Sequence, residues 1–137
     1  MKTVVVDASV AAKWFLPEAG APAALELLDD RYHLAAPDLI RAEMGNIAWK
    51  LHARGVLSAD EAFDLVEQFL PMPLEIHDSA SLLAPALEIT LVTGRSVYDS
   101  LYLALAVELE GTVVTADERW VNALANSPFG RFLRSLA

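Results

Sequence analysis

The sequence predicts an α/β fold, a three-layer sandwich in which a parallel β-sheet is flanked by helices on both faces. Three observations carry this. Two short β-branched runs, Lys2–Val6 and Thr112–Thr115, read as buried strands. Each is followed within two residues by an aspartate and then a helical stretch. Between them, strand-like and helix-like segments alternate, as they do in βαβ units. A chain of 137 residues fits a single domain, taken here as 1–137.

The elements follow in order. After the Lys2–Val6 strand, Ala8–Leu16 reads as a helix stopped by Pro17 and Gly20. Pro22–Asp30 is a second helical stretch and His33–Ala35 a short strand. Pro37 suits the first turn of a helix, which continues over Asp38–Arg54 and ends at Gly55. Ser58 and Glu61 form a capping-box pair that opens a helix running through Leu70, where Pro71 and Pro73 break it. Leu74–His77 is a short strand and Ser79–Val92 a helix ended by Gly94. Pro85 either kinks that helix or marks its true first turn. Ser96–Glu110 is a strongly apolar helix closed by Gly111, and Asp117–Ala125 is the last clear helix.

Composition bounds the function. Ten Lys+Arg stand against 19 Asp+Glu, for a net charge of −9. That balance disfavours broad, unspecific gripping of nucleic acid, which needs cations on phosphates. It leaves room for a nuclease whose acidic centre works through metal ions. Cysteine is absent, which excludes a disulfide scaffold, a thiol nucleophile and Cys-based metal sites. The hydrophobic fraction is 55%, against roughly 45–50% in typical domains. The excess argues against disorder and suggests apolar surface that a second copy or a partner protein covers. No segment has the length and apolarity of a membrane span, and Asp7 interrupts the Val4–Val6 run that resembles a signal peptide. A cytoplasmic protein is expected.

Four carboxylates stand out. Asp7 and Asp117 follow the two strongest strands, so both sit at strand carboxyl ends. Each also precedes a helix, where aspartate is a favoured N-cap. Asp99 lies three residues after Ser96, a capping-box spacing, but opens a helix whose apolar residues cover most of its circumference. Glu43 shares its helix with the apolar stripe Ile40, Met44, Ile47 and Leu51. At about 100° per residue it lies roughly 40° from Ile47 and from Leu39, inside or at the margin of the apolar sector. Lys50 and Arg54 are too far along to be its i+4 partners. An unpaired buried carboxylate is costly, so a cation from outside the sequence is one candidate to compensate it.

In a parallel sheet the ligand crevice lies beyond the strand carboxyl ends. If the two strong strands are neighbours, Asp7, Asp117 and Asp99 converge there. Hard divalent cations such as Mg²⁺ or Mn²⁺ take such oxygen ligands, and without a counterion at least one acid would hold its proton. Ser9 and Thr115 add hydroxyls near the same place. Lys13, Arg95 and Arg119 lie close in sequence to these acids and are the candidate contacts to a phosphate-bearing ligand. His33, His52 and His77 are scattered and read as structural.

Taken together, these blocks resemble the PIN-domain family, and most nearly its VapC toxins of toxin–antitoxin modules. The resemblance rests on Val-Val-Asp7-Ala-Ser9-Val-Ala-Ala-Lys13-Trp14-Phe15, on Arg41-Ala-Glu43-Met-Gly-Asn46, on Tyr98-Asp99 through Ala106, and on Thr115-Ala-Asp117-Glu-Arg119. It implies a metal-dependent ribonuclease using Mg²⁺ or Mn²⁺, with Asp7, Glu43, Asp99 and Asp117 as the acidic quartet. Ser9, Asn46 and Thr115 match the family's accessory polar residues. The family further implies hydrolysis to a 5′-phosphate and a 3′-hydroxyl, an RNA substrate (tRNA, rRNA or mRNA), a homodimer, and a VapB-like antitoxin whose basic tail covers the site. Trp120 stands where phenylalanine or leucine is commoner.

Two other readings compete. A catalytically silent PIN scaffold would keep the fold and lose the chemistry. A receiver-like signalling module would also bind Mg²⁺ in an acidic pocket. That class needs paired acids early and a buried lysine late, yet no lysine follows Arg95.

Overall fold

A computed structural model describes residues 1–137. Five parallel strands form one sheet: β1 Lys2–Val6, β2 Tyr32–Pro37, β3 Glu75–His77, β4 Thr112–Thr115 and β5 Leu133–Ser135, in the order β3-β2-β1-β4-β5. Seven helices flank it: α1 Ala8–Ala11, α2 Ala21–Glu26, α3 Leu39–Ala53, α4 Ala59–Phe69, α5 Ser79–Thr93, α6 Val97–Leu109 and α7 Glu118–Leu124. The expected α/β three-layer sandwich is what forms.

The topology positions the site. From β1 the chain steps to β2 and β3 on one side, then returns through α5 and α6 to β4 and β5 on the other. With the right-handed crossovers that parallel strands favour, this strand order puts the β1–β2 and β2–β3 connections on one face and the β3–β4 and β4–β5 connections on the other. The winding reverses between β1 and β4, and a crevice opens there at the strand carboxyl ends. In that pair Val6 registers with Val114, so Asp7 and Thr115 stand side by side at the end of the ladder.

Burial explains the composition. Val4 to Val6 and Val113 to Val114 are buried, as a strand covered on both faces requires. In α6 every residue from Ser100 to Ala106 is buried, so a helix apolar all round is a central one. α6 packs against α5, β1, β2 and β4.

Several expectations shift. The Ala8–Leu16 helix is α-helical only to Ala11 and tightens to a 3₁₀ turn over Ala12–Trp14, where the Trp14 indole donates to the Ala24 carbonyl at 2.8 Å. Pro37 ends β2 instead of opening α3; the β1–β2 register stops at Ala35, so its missing N–H breaks no bond to β1. Pro85 lies inside α5. β5 was not expected: Leu-Arg-Ser is three residues long and carries no periodic signal.

Candidate active site

Asp7, Ser9, Glu43, Asn46, Asp99 and Asp117 line one crevice of about 260 Å³ at the β1–β4 reversal. The four acids come from four different elements: the end of β1, α3, the first turn of α6 and the cap of α7.

Asp7 is held from three directions. Its Oδ1 accepts from Ser9 Oγ at 2.6 Å and from the Val10 amide at 3.1 Å, and its Oδ2 accepts from Thr115 Oγ1 at 2.6 Å. The two hydroxyls are themselves oriented, Ser9 Oγ accepting from the Ala116 amide and Thr115 Oγ1 from the Asp117 amide. Asp7 therefore caps α1 and is also gripped from β4. Burial pushes its carboxyl above the ordinary 3.8, the hydrogen bonds oppose this, and the charge of Asp99 adds to the rise.

Glu43 finds its partner on another helix. The Tyr102 hydroxyl, from α6, donates to Glu43 Oε1 at 2.5 Å. Burial raises the Glu43 pKa, Tyr102 lowers it, and Asp7 and Asp99 raise it further. Tyr102 itself is pushed far up, chiefly by burial and then by the charge of Glu43, so it remains a protonated donor. In the sequence Tyr102 belongs to the apolar surface of the Ser96–Glu110 helix. Its i+3 spacing from Asp99 is the signal that places both on one helix face.

Asp99 takes only half of the capping box. Its amide donates to Ser96 Oγ at 3.1 Å, while its carboxylate turns to Arg95. Arg95 Nη2 and Nε both donate to Asp99 Oδ2, at 2.9 and 3.2 Å, and Nη2 lies 3.7 Å from Asp117 Oδ2. Burial raises the Asp99 pKa, Arg95 opposes it and Asp117 adds to it. Asp117 caps α7, accepting from the Trp120 amide at 3.2 Å.

The basic candidates divide. Arg95 stands within the acid cluster as an ion-pair partner. Lys13 donates to the Ala19 carbonyl at 2.8 Å and does not line the crevice. Arg119 is exposed on α7. Lys50, set aside in the sequence as too distant for Glu43, does line the crevice together with Ile47 and Trp120. Its i+7 spacing from Glu43, two helical turns along the same face, is the signal. The Trp120 indole N–H is buried without a partner.

Every donor in this set is an oxygen, which is what Mg²⁺ and Mn²⁺ select, and burial with mutual repulsion leaves the acids short of positive charge. In chemistry the set fits such a cation. In arrangement, no three of the acids are gathered to hold one ion; Arg95 holds Asp99 and sits beside Asp117.

Residues 4–125 match the model of the PIN domain. The chain belongs to the PIN-domain family. Ribonuclease VapC3 of Pyrobaculum aerophilum is 34% identical to this PIN chain over 118 residues, covering 85% of the chain and 90% of that protein. A toxin–antitoxin complex from Klebsiella pneumoniae superposes with a TM-score of 0.69 at 15% identity, over 98% of both chains. VapC20 of Mycobacterium tuberculosis, a toxin that cleaves the sarcin-ricin loop, gives 0.67 at 16% identity, over 88% of this chain and 94% of its own. These solved structures share the PIN fold.

Proposed function

We propose that residues 1–137 form one PIN nuclease domain, the endoribonuclease toxin of a VapBC-type pair, acting on cytoplasmic RNA through Mg²⁺ or Mn²⁺ held by Asp7, Glu43, Asp99 and Asp117. The observation that carries the reading is the convergence of these four carboxylates on one crevice at the reversal of the sheet. The 34% identity to a VapC ribonuclease supports the choice of RNA.

Asp7 and Asp99 serve as the principal ligands, with Glu43 and Asp117 completing the set. When bound, the cation acidifies water and offsets charge developing on the phosphate. The chain's own part is positioning. Ser9 and Thr115 lock the Asp7 carboxylate, and Tyr102 fixes that of Glu43. Asn46 lines the crevice as a neutral polar group, and Lys50 offers a cation there for an RNA phosphate. Hydrolysis leaves a 5′-phosphate and a 3′-hydroxyl.

Total tRNA and rRNA incubated with the protein test this. Cleavage is expected with Mg²⁺ or Mn²⁺ and none with EDTA. Intact RNA under all conditions favours the silent scaffold, and cleavage that survives EDTA overturns the metal reading.

The partners have candidate surfaces. Gly45, Ala48 and Trp49 of α3 and Ala62, Phe63 and Val66 of α4 line an apolar cavity of about 240 Å³ beside the crevice helix α3. Trp49 and Phe63 are 62% and 69% exposed. An apolar antitoxin helix fits this surface, and its basic tail suits the acidic crevice. On α5, Leu83, Leu87 and Leu91 form an exposed stripe at i, i+4 spacing, suited to a second copy. Replacing Leu87 and Leu91 with Asp is expected to turn a dimer into a folded monomer by light scattering; an unchanged mass removes α5 from the interface.

A further inference from the structure

Arg95 lies between the two most apolar helices, in the short link Gly94–Ser96 that joins α5 to α6. Gly94 ends α5 in the left-handed region, with φ of 76°, and the Arg95 amide donates to Thr93 Oγ1 at 3.2 Å. This fixes where the side chain starts. Its guanidinium then places two N–H donors on one oxygen, Asp99 Oδ2, and comes to 3.7 Å from Asp117 Oδ2. One arginine thus ties the first turn of α6 to the cap of α7.

We infer that Arg95 is the site's own counter-cation, and that it and a divalent ion hold the Asp99–Asp117 pair in alternation. The inference rests on the metal reading above and adds what sets the concentration at which metal loads. An oxygen accepting two N–H bonds has its lone pairs occupied, so Asp99 Oδ2 is closed to a second cation and Oδ1 alone is left to one. A guanidinium about 3 Å from that oxygen also repels an incoming dication. The acids, moreover, are not gathered three to one point as they stand. Releasing Asp99 from Arg95 is the rearrangement that frees its second oxygen. Arg95 is half-buried, with 29% of its side chain exposed, so it can turn outward to solvent or to a phosphate. Until then it offsets the repulsion between Asp99 and Asp117 in the metal-free protein.

The test is Mn²⁺ titration by calorimetry of EDTA-treated, dialysed wild type, Arg95→Ala and Arg95→Lys, with far-UV circular dichroism to confirm the fold of each. Arg95→Ala is expected to bind Mn²⁺ about tenfold more tightly, the scale of the charge-assisted hydrogen bonds it no longer loses. Arg95→Lys keeps a point charge without the fork and falls between the two. Melting without metal should be lower for Arg95→Ala than for wild type, and the rise on adding Mn²⁺ larger. Equal or weaker Mn²⁺ affinity in Arg95→Ala, with binding intact in wild type, overturns the competitor role and leaves the metal reading standing. Absence of Mn²⁺ binding in all three proteins overturns both. If Arg95→Ala does not fold, Arg95→Lys decides: affinity at or below that of wild type overturns the inference.

Discussion

Asp7→Asn is expected to abolish RNA cleavage and, in the same molecule, to change how stability depends on pH. Outer partners of metal ligands are worth about 10- to 100-fold, so Asp7, proposed above as a direct ligand, should cost at least about 100-fold. Asparagine keeps an oxygen for the Val10 amide and is as good an N-cap as aspartate, so a loss of this size cannot be a capping effect. The charge is what is removed. Asp7 is raised above 3.8, first by burial and least by Asp99, so its ionised form is disfavoured in the folded state. Such a group costs nothing below the unfolded value, where it is protonated in both states. The cost grows as pH rises through the folded value and is then fully present. The stability of Asp7→Asn relative to wild type, without metal, should therefore increase with pH. Against this stands one lost interaction: the amide nitrogen facing Thr115 Oγ1 cannot accept its proton, at about 1 kcal/mol independent of pH. Urea unfolding of both proteins at several pH values separates the two contributions. A pH-independent difference together with wild-type cleavage would reduce Asp7 to a cap. Of these two proteins, wild type is the one whose melting temperature Mg²⁺ or Mn²⁺ should raise.

Most of the fold was legible because its two central strands are unambiguous. Val4-Val5-Val6 and Thr112-Val113-Val114 are β-branched and flanked by breakers, and they pair with each other. β5 was not legible, because three residues paired to β4 carry no pattern of their own. Pro37 was misplaced for a related reason: a proline before a helix and a proline at a strand end look alike until the register is known. In the site, the four acids were visible because each sits at an element boundary or within an apolar stripe. Their partners were not. Tyr102 on α6 meets Glu43 on α3 across 59 positions, and no local spacing predicts a pair that the sheet reversal brings together. Arg95 was visible as a cation near Asp99, yet its role as an ion-pair partner depends on the turn at Gly94 and the direction of the side chain. The sequence also argued that Glu43 needs compensation from outside. The structure supplies part of it from within, as a neutral hydroxyl that satisfies one oxygen and leaves the charge in place.

Tyr102→Phe is expected to weaken metal binding and catalysis by about tenfold while leaving the fold intact, because the hydroxyl orients Glu43, a ligand in the proposed function, and the ring fills the core. The ring is 2% exposed, and phenylalanine keeps its volume. What disappears is a hydrogen bond to a carboxylate, worth about 1–2 kcal/mol at a half-buried position. Since burial already raises Glu43 above 4.5 and Tyr102 is the one group lowering it, the variant should raise it further. The cost of the substitution is then largest where Glu43 is ionised and shrinks as pH falls through its folded pKa. Glu43→Gln gives the control. It removes the charge, keeps an oxygen to accept from Tyr102 and relieves repulsion with Asp7 and Asp99, so metal-free stability should hold or rise while cleavage is lost. In that background Tyr102→Phe should cost less, and equally at every pH, since a neutral acceptor replaces a charged one. A double-mutant cycle in urea across pH, read beside Mn²⁺ affinity, measures the coupling. Equal costs in both backgrounds with unchanged Mn²⁺ affinity would make Tyr102 a packing residue and leave Glu43 oriented by α3 alone.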